Sequence, residues 1–241
     1  MIMKLKRVRA ILIKQLKDTF KNKTVLIQFI IFPIVAYVMT IVTGDLEVEE
    51  DMISMTAMFA IMFGTMYVGM VPAVTMASII AEEKEKNTLR VLMMSNVKPM
   101  EYMIGVGIYI FAICLLGAAA FGLIAGLSEL KLLYFIMILA LGIVVSLIMG
   151  GALGILSKNL MSTNSIVTPI VLVLAFIPMF AMFNESFALA AKMLYTQQIS
   201  ELISDLSASN FTWDKFAIIG ANAVVFFVVF FALYRKKGLL E

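Results

Sequence analysis

The sequence predicts an all-α polytopic membrane protein, with about six transmembrane helices preceded by an N-terminal amphipathic interfacial helix. Of its 241 residues, 62% are hydrophobic and only 15% charged, against roughly 45–50% apolar and about 25% charged in soluble domains. The apolar residues gather into runs at about 24–43, 53–81, 102–127, 132–156, 165–183 and 216–234, each close to or above the ~20 residues that a helix needs to cross the hydrocarbon core. No run carries Asp, Glu, Lys or Arg in its interior, and the chain has no histidine. A helix satisfies its own backbone hydrogen bonds in lipid. A barrel would instead alternate polar and apolar residues over segments of about ten, which these uninterrupted runs exclude.

Residues 1–23 come first and hold Lys4, Lys6, Arg7, Arg9, Lys14, Lys17, Lys21 and Lys23. On a helical wheel Leu5, Val8, Leu12, Leu16 and Phe20 share one face, and Arg7, Lys14, Lys17 and Lys21 another, the pattern of a helix lying in the membrane interface. A signal peptide also starts basic. The apolar run that follows is too long for a signal core and ends without a small-residue cleavage pattern, so retention is expected.

Residues 24–241 form the six-helix transmembrane domain. Threading the spans alternately leaves sixteen basic residues on one side and Lys131, Lys192 and Lys215 on the other. Positive charge is retained on the cytoplasmic side, so both termini are expected in the cytoplasm and the protein in the cell membrane. The first external loop, Asp45-Leu46-Glu47-Val48-Glu49-Glu50-Asp51, is acidic, either simply solvated or attractive to cationic peptides.

In the second span Met55, Met58, Met62, Met66 and Met70 form a stripe at helical spacing. Flexible thioethers suit irregular packing and varied apolar ligands alike, so the stripe either packs helices together or walls a substrate path. Gly122 with Gly126, and Gly150 with Gly154, have the spacing that lets helices approach closely. Pro33, Pro72, Pro169 and Pro178 each disturb a span's hydrogen-bond ladder. An external segment, 184–215, carries Ile199, Leu202, Ile203 and Leu206 on one helical face and is expected to lie on or dip into the outer surface, with Trp213 in the interfacial aromatic belt before the last span.

The missing residues exclude function classes. Without histidine, and with one cysteine, Cys114, inside an apolar run, most metal and triad chemistry has no ligand or base, an intramembrane protease included. Without ionisable groups in the spans, nothing relays protons or binds a coupling ion. No glycine-rich phosphate loop ending in Gly-Lys-Ser/Thr is present. The chain is therefore expected to be no enzyme and to hold no cofactor, and its charge does not imply nucleic acid.

The most distinctive stretch is the cytoplasmic segment 82–99. Glu82, Glu83 and Glu85 are expected near the start of a short helix, where the dipole favours negative charge. Leu89, Leu92 and Met93 make an apolar edge at i, i+3 and i+4, and Pro99 discourages helix before the next span. Such a helix can seat its edge in a partner's cleft and transmit a rigid-body push; a solvated charge run resting on the bilayer is the alternative.

This stretch resembles the first cytoplasmic loop of type 2 ABC exporter permeases. Glu83-Lys84-Glu85, Asn87-Thr88-Leu89, Leu92, Ser95, Glu101 and Gly105 fit the family's pattern, an acidic-basic-acidic triplet followed by Gly or Asn before Thr-Leu. Asn96 and Val106 depart from it, standing where proline and lysine are usual. The resemblance implies that Glu82, Glu83, Lys84, Glu85, Asn87, Thr88, Leu89, Leu92 and Met93 belong to a coupling helix. It also implies a second permease subunit, identical or paralogous, and two cytoplasmic ABC ATPase subunits that hold ATP and Mg. It places the second and fifth helices beside the central dimer interface, and short external helices at the outer end of the pathway. The expected function is the permease subunit of an ATP-driven exporter of hydrophobic or amphipathic cargo; a passive channel or a membrane assembly scaffold is the alternative.

Overall fold

The computed structural model describes residues 5–21, 23–43, 55–95, 97–208 and 212–237. Among them the order is α1 (Leu5–Lys21), α2 (Lys23–Thr43), α3 (Met55–Glu85), α4 (Thr88–Met94), α5 (Pro99–Ile124), α6 (Glu129–Leu156), α7 (Leu160–Phe183), α8 (Glu185–Ala191), α9 (Tyr195–Ala208) and α10 (Trp213–Lys237). Six of these, α2, α3, α5, α6, α7 and α10, are long and apolar enough to cross a bilayer. The protein is thus an all-α polytopic membrane protein. The acidic loop 45–51 lies outside the described residues.

Local chemistry sets several boundaries that apolar runs alone misplace. Pro99 opens α5 rather than merely preceding it, because the first helical position needs no N–H. Glu101 Oε2 accepts from Lys98 N at 3.1 Å and completes the turn. At its other end α5 closes in a Schellman motif, with Leu127 N donating to Gly122 O and Gly126 N to Leu123 O around Gly126 at φ +65°. Gly126 therefore serves the turn, not helix packing: a Cβ built there would meet nothing within 4 Å. The four prolines inside spans lie within continuous helices.

The bundle is organised around α3, which packs on α2, α5, α6, α7 and α9. Its closest neighbour is α6. A Cβ on Gly150 would stand 2.4 Å from Ala73 O, and one on Gly154 would stand 3.0 Å from Ala77 Cα. Lipid is as apolar as leucine, so van der Waals contact between close backbones holds such a pair. The glycine spacing on α6 thus packs helices within this subunit.

Two elements sit deeper than their amphipathicity suggests. α1 turns Val8, Ile11 and Gln15 into the protein, Val8 and Ile11 against the start of α5, where a Cβ on Gly105 would lie 2.9 Å from Ile11 Cγ2, and Gln15 toward the end of α3. Of the face expected on the bilayer, Val8 is buried and Leu12 and Leu16 pack on the core, the side chains of Leu5 and Phe20 lying outside the described residues, while Arg9, Ile13 and Lys17 are exposed. The segment 184–215 enters the bundle: Tyr195, Ile199, Leu202, Ile203 and Leu206 of α9 are all buried against α3, α6, α7 and α10. Tyr195 OH lies 2.8 Å from Ser146 Oγ, which donates to Val68 O at 2.6 Å. Asn222 Nδ2 donates to Met193 O at 2.9 Å and fastens the α8–α9 turn to α10. A helix with this apolar face needs a dry surface, and the gap among four spans supplies it.

Candidate functional site

At the end of the bundle that carries most basic residues, α3 continues past the apolar run to Glu85. Successive residues there point about 100° apart around the axis, so Glu83, Lys84 and Glu85 reach three different neighbours. Glu83 is 6% exposed. Its carboxylate pairs with Lys14 of α1, accepts from Gln15 Nε2 at 3.1 Å and takes the Thr88 hydroxyl of α4 at 2.6 Å. Lys84 Nζ donates to Ile155 O at 2.9 Å and to Ser157 O at 3.3 Å, at the C-terminus of α6. Glu85 Oε2 accepts from Leu160 N at 3.1 Å, at the N-terminus of α7.

The order of charges matches the field. A helix C-terminus presents carbonyls and partial negative charge, an N-terminus N–H groups and partial positive charge. The corner between α6 and α7 offers both within a few residues, and adjacent Lys84 and Glu85 answer each in kind. Asn159 completes the corner, its side chain accepting from Ser162 N at 2.8 Å.

Beyond Glu85 the chain breaks at Asn87, φ 56°, and starts α4 at Thr88. Left-handed backbone suits Gly and, among other residues, Asn, which gives a physical basis for the Gly-or-Asn position in the sequence pattern. On α4, Leu89 is fully buried, while Leu92 and Met93 are half-buried against the same core. The outward face is Arg90, Val91 and Met94, with Met94 81% exposed. A cavity of about 280 Å³ opens at the α3–α4 turn, lined by Lys84, Asn87, Leu89 and Arg90. Glu82 pairs with Lys86, and this hydrogen bond and charge hold the Lys86 ammonium above its usual range. Nearby, Arg7 Nη1 of α1 lies 3.3 Å from the buried Glu101 Oε2.

A family model described as ABC-2 family transporter protein matches residues 36–235. The chain belongs to the ABC-2 transporter family. It is a permease subunit of an ABC transporter. No curated protein matches it.

Within this ABC-2 permease, the residues singled out in segment 82–99 converge on the α3–α4 corner, with two changes of place. Glu82, Glu83 and Glu85 stand at the C-terminus of α3, not at the start of the short helix, because α3 stays helical through its polar end and groups on four elements hydrogen-bond its charged side chains. The edge formed by Leu89, Leu92 and Met93 packs inward, because core surface lies directly beneath α4; what α4 offers outward is Arg90, Val91 and Met94.

The described side chains of the methionine stripe are buried or half-buried. Met62 and Met66 are buried, Met58 is half-buried, and half-buried Met70 packs on a cluster shared by α3, α6 and α7. The side chain of Met55 lies outside the described residues.

Sequence reading missed Gln15 and the two acceptor carbonyls of α6. Gln15 left a trace, a lone amide between the apolar and basic faces of α1; backbone carbonyls leave none.

Proposed function

We propose that this permease is one of two membrane subunits of an ATP-driven exporter, with its basic end and both termini in the cytoplasm. One observation carries the reading: Glu83, Lys84 and Glu85 join the end of α3 to α1, α4, α6 and α7 together. A push on α4 then moves several helices as a unit, where a floppy loop would dissipate it.

In this reading two cytoplasmic ABC ATPase subunits, which bind ATP and Mg, dock on Arg90, Val91 and Met94. An acidic side chain of the ATPase enters the cleft between Lys84 and Arg90. Closure of the ATPases tilts α4, and Leu89, sunk in the core, turns that tilt into movement of α3. The Lys84 and Glu85 contacts carry it to the α6–α7 corner, so the spans rearrange between inward-open and outward-open states. A second permease subunit, identical or paralogous, completes the path. Cargo is hydrophobic or amphipathic, since the spans offer apolar surface, and half-buried Met58 and Met70 are the stripe members placed to meet it. Catalysis belongs to the ATPase.

Purification of the tagged chain from native membranes, followed by reconstitution into vesicles, tests this. An ATPase subunit should co-purify, and cargo should move only when ATP and Mg are supplied on its side. Passage of cargo through vesicles containing this chain and no nucleotidase would reject the reading in favour of a passive channel.

A further inference from the structure

At the end of the bundle remote from most of the basic residues, α6 and α10 leave a groove of about 610 Å³ between them. Tyr134, Met137 and Leu141 line it at i, i+3 and i+7 along α6, and Trp213 and Phe216 face them from α10 with ring centroids 6.1 Å apart. The groove lies on the outside of the bundle: Trp213 is 86% exposed and the three α6 residues are exposed as well. Both helices are long and apolar enough to cross a bilayer, so lipid rather than water suits this surface.

Length, chemistry at the mouth and charge select one kind of occupant. From Tyr134 to Leu141 the groove runs ~10 Å along α6, which keeps it within one leaflet of the roughly 30 Å hydrocarbon core. Tyr134 and Trp213 stand at its mouth, where amphipathic rings sit at headgroup level. Lys131, exposed, lies one turn above Tyr134 on the same face of α6 and makes no ion pair among the described residues. Lys215 at this end is committed instead, 2.6 Å from Asp205 Oδ2 and 3.7 Å from Glu201 Oε2. A cation above an apolar groove that stays within one leaflet is complementary to a phosphate above an acyl chain.

We propose that this groove binds one anionic phospholipid from the leaflet at that end, the outer leaflet in the orientation proposed above. Its phosphate rests on the Lys131 ammonium and one acyl chain lies along Tyr134, Met137 and Leu141. The site does not depend on the exporter reading, because lipid occupancy is measured on this chain without ATPase or cargo.

Trp213 is the chain's single tryptophan, so its fluorescence reports the groove directly. The full chain is placed in vesicles, and quenching by brominated phosphatidylglycerol is compared with quenching by brominated phosphatidylcholine at equal mole fraction. Phosphatidylglycerol should occupy the groove about fivefold more readily, the scale of one basic side chain meeting an anionic lipid. Lys131→Gln, on an exposed side chain, should remove that preference, and Ala140→Phe should reduce quenching by both lipids. Inorganic phosphate added outside should leave the preference intact. Equal quenching in the unaltered chain, or a preference that survives Lys131→Gln, would overturn the site. So would displacement by inorganic phosphate, which marks a bare anion site, or no quenching by either lipid, which marks a groove covered by protein such as a second copy.

Discussion

Lys84 Nζ stands 2.9 Å from the carbonyl oxygen of Ile155, joining the end of α3 to the end of α6 across 71 residues of sequence. The contact is a charged donor on a helix C-terminus, a stronger bond than one between neutral groups, and it rests beside the Glu85 contact with α7.

Replacing Lys84 with Met keeps the chain's volume and removes both bonds to α6. Stability should fall by about 2 kcal/mol, the scale of a hydrogen bond to a charged group, read as a lower melting temperature in detergent. In the reconstituted transporter ATP hydrolysis should persist while transport per ATP drops. An unchanged ratio of transport to hydrolysis would show that the α6–α7 corner does not receive the stroke through Lys84.

Leu89→Asp and Met94→Asp separate folding from docking. Leu89 is 0% exposed and Met94 81%. An unpaired buried carboxylate costs several kcal/mol, so Leu89→Asp should abolish monodisperse protein on size exclusion. Met94→Asp should purify normally but lose the ATPase. If Met94→Asp retains the ATPase at full yield, the outward face of α4 is not the docking surface.

At Asn87, φ 56°, Gly should be accepted and a β-branched residue should not. Asn87→Gly is expected to remain near normal in stability, and Asn87→Val to lose about 1–2 kcal/mol through left-handed strain. Equal melting temperatures for the two variants would contradict the backbone assignment.

Gly150→Ala places a Cβ against the Ala73 backbone, which has no rotamer by which to escape. Overpacking of this kind costs about 1–3 kcal/mol, and thermal denaturation should register it. Gly220→Ala, with nothing within 4 Å of the added atom, serves as the comparison and should not lower the melting temperature.

Much of the fold is legible along the chain because a bilayer imposes few solutions. Runs such as 132–156 lead directly to α6, since an apolar segment of that length without charge must close its own hydrogen bonds. The triplet Glu83-Lys84-Glu85 is likewise visible, but the sequence places its carboxylates at the start of the short helix, whereas they close α3. Its neighbours were harder to read. Lys14 was seen as one charge on a basic face, and nothing in the sequence distinguishes it from Lys17, which is exposed, whereas Lys14 pairs with Glu83.

The sequence by itself determined the apolar spans and their number, the basic and apolar segments and the presence of a short helix between α3 and α5, because each follows from local hydrophobicity, charge and turn chemistry. Only the tertiary structure decided that Leu89 faces inward and Met94 outward, that α9 enters the bundle instead of resting on it, and that Lys84 and Glu85 divide between α6 and α7. The reason is physical: in a membrane an apolar side chain is satisfied equally by lipid and by protein, so hydrophobicity cannot say which face of a helix is packed. That choice belongs to close backbone contacts, such as Gly150 on Ala73, and to polar groups whose partners are brought near only when the helices assemble.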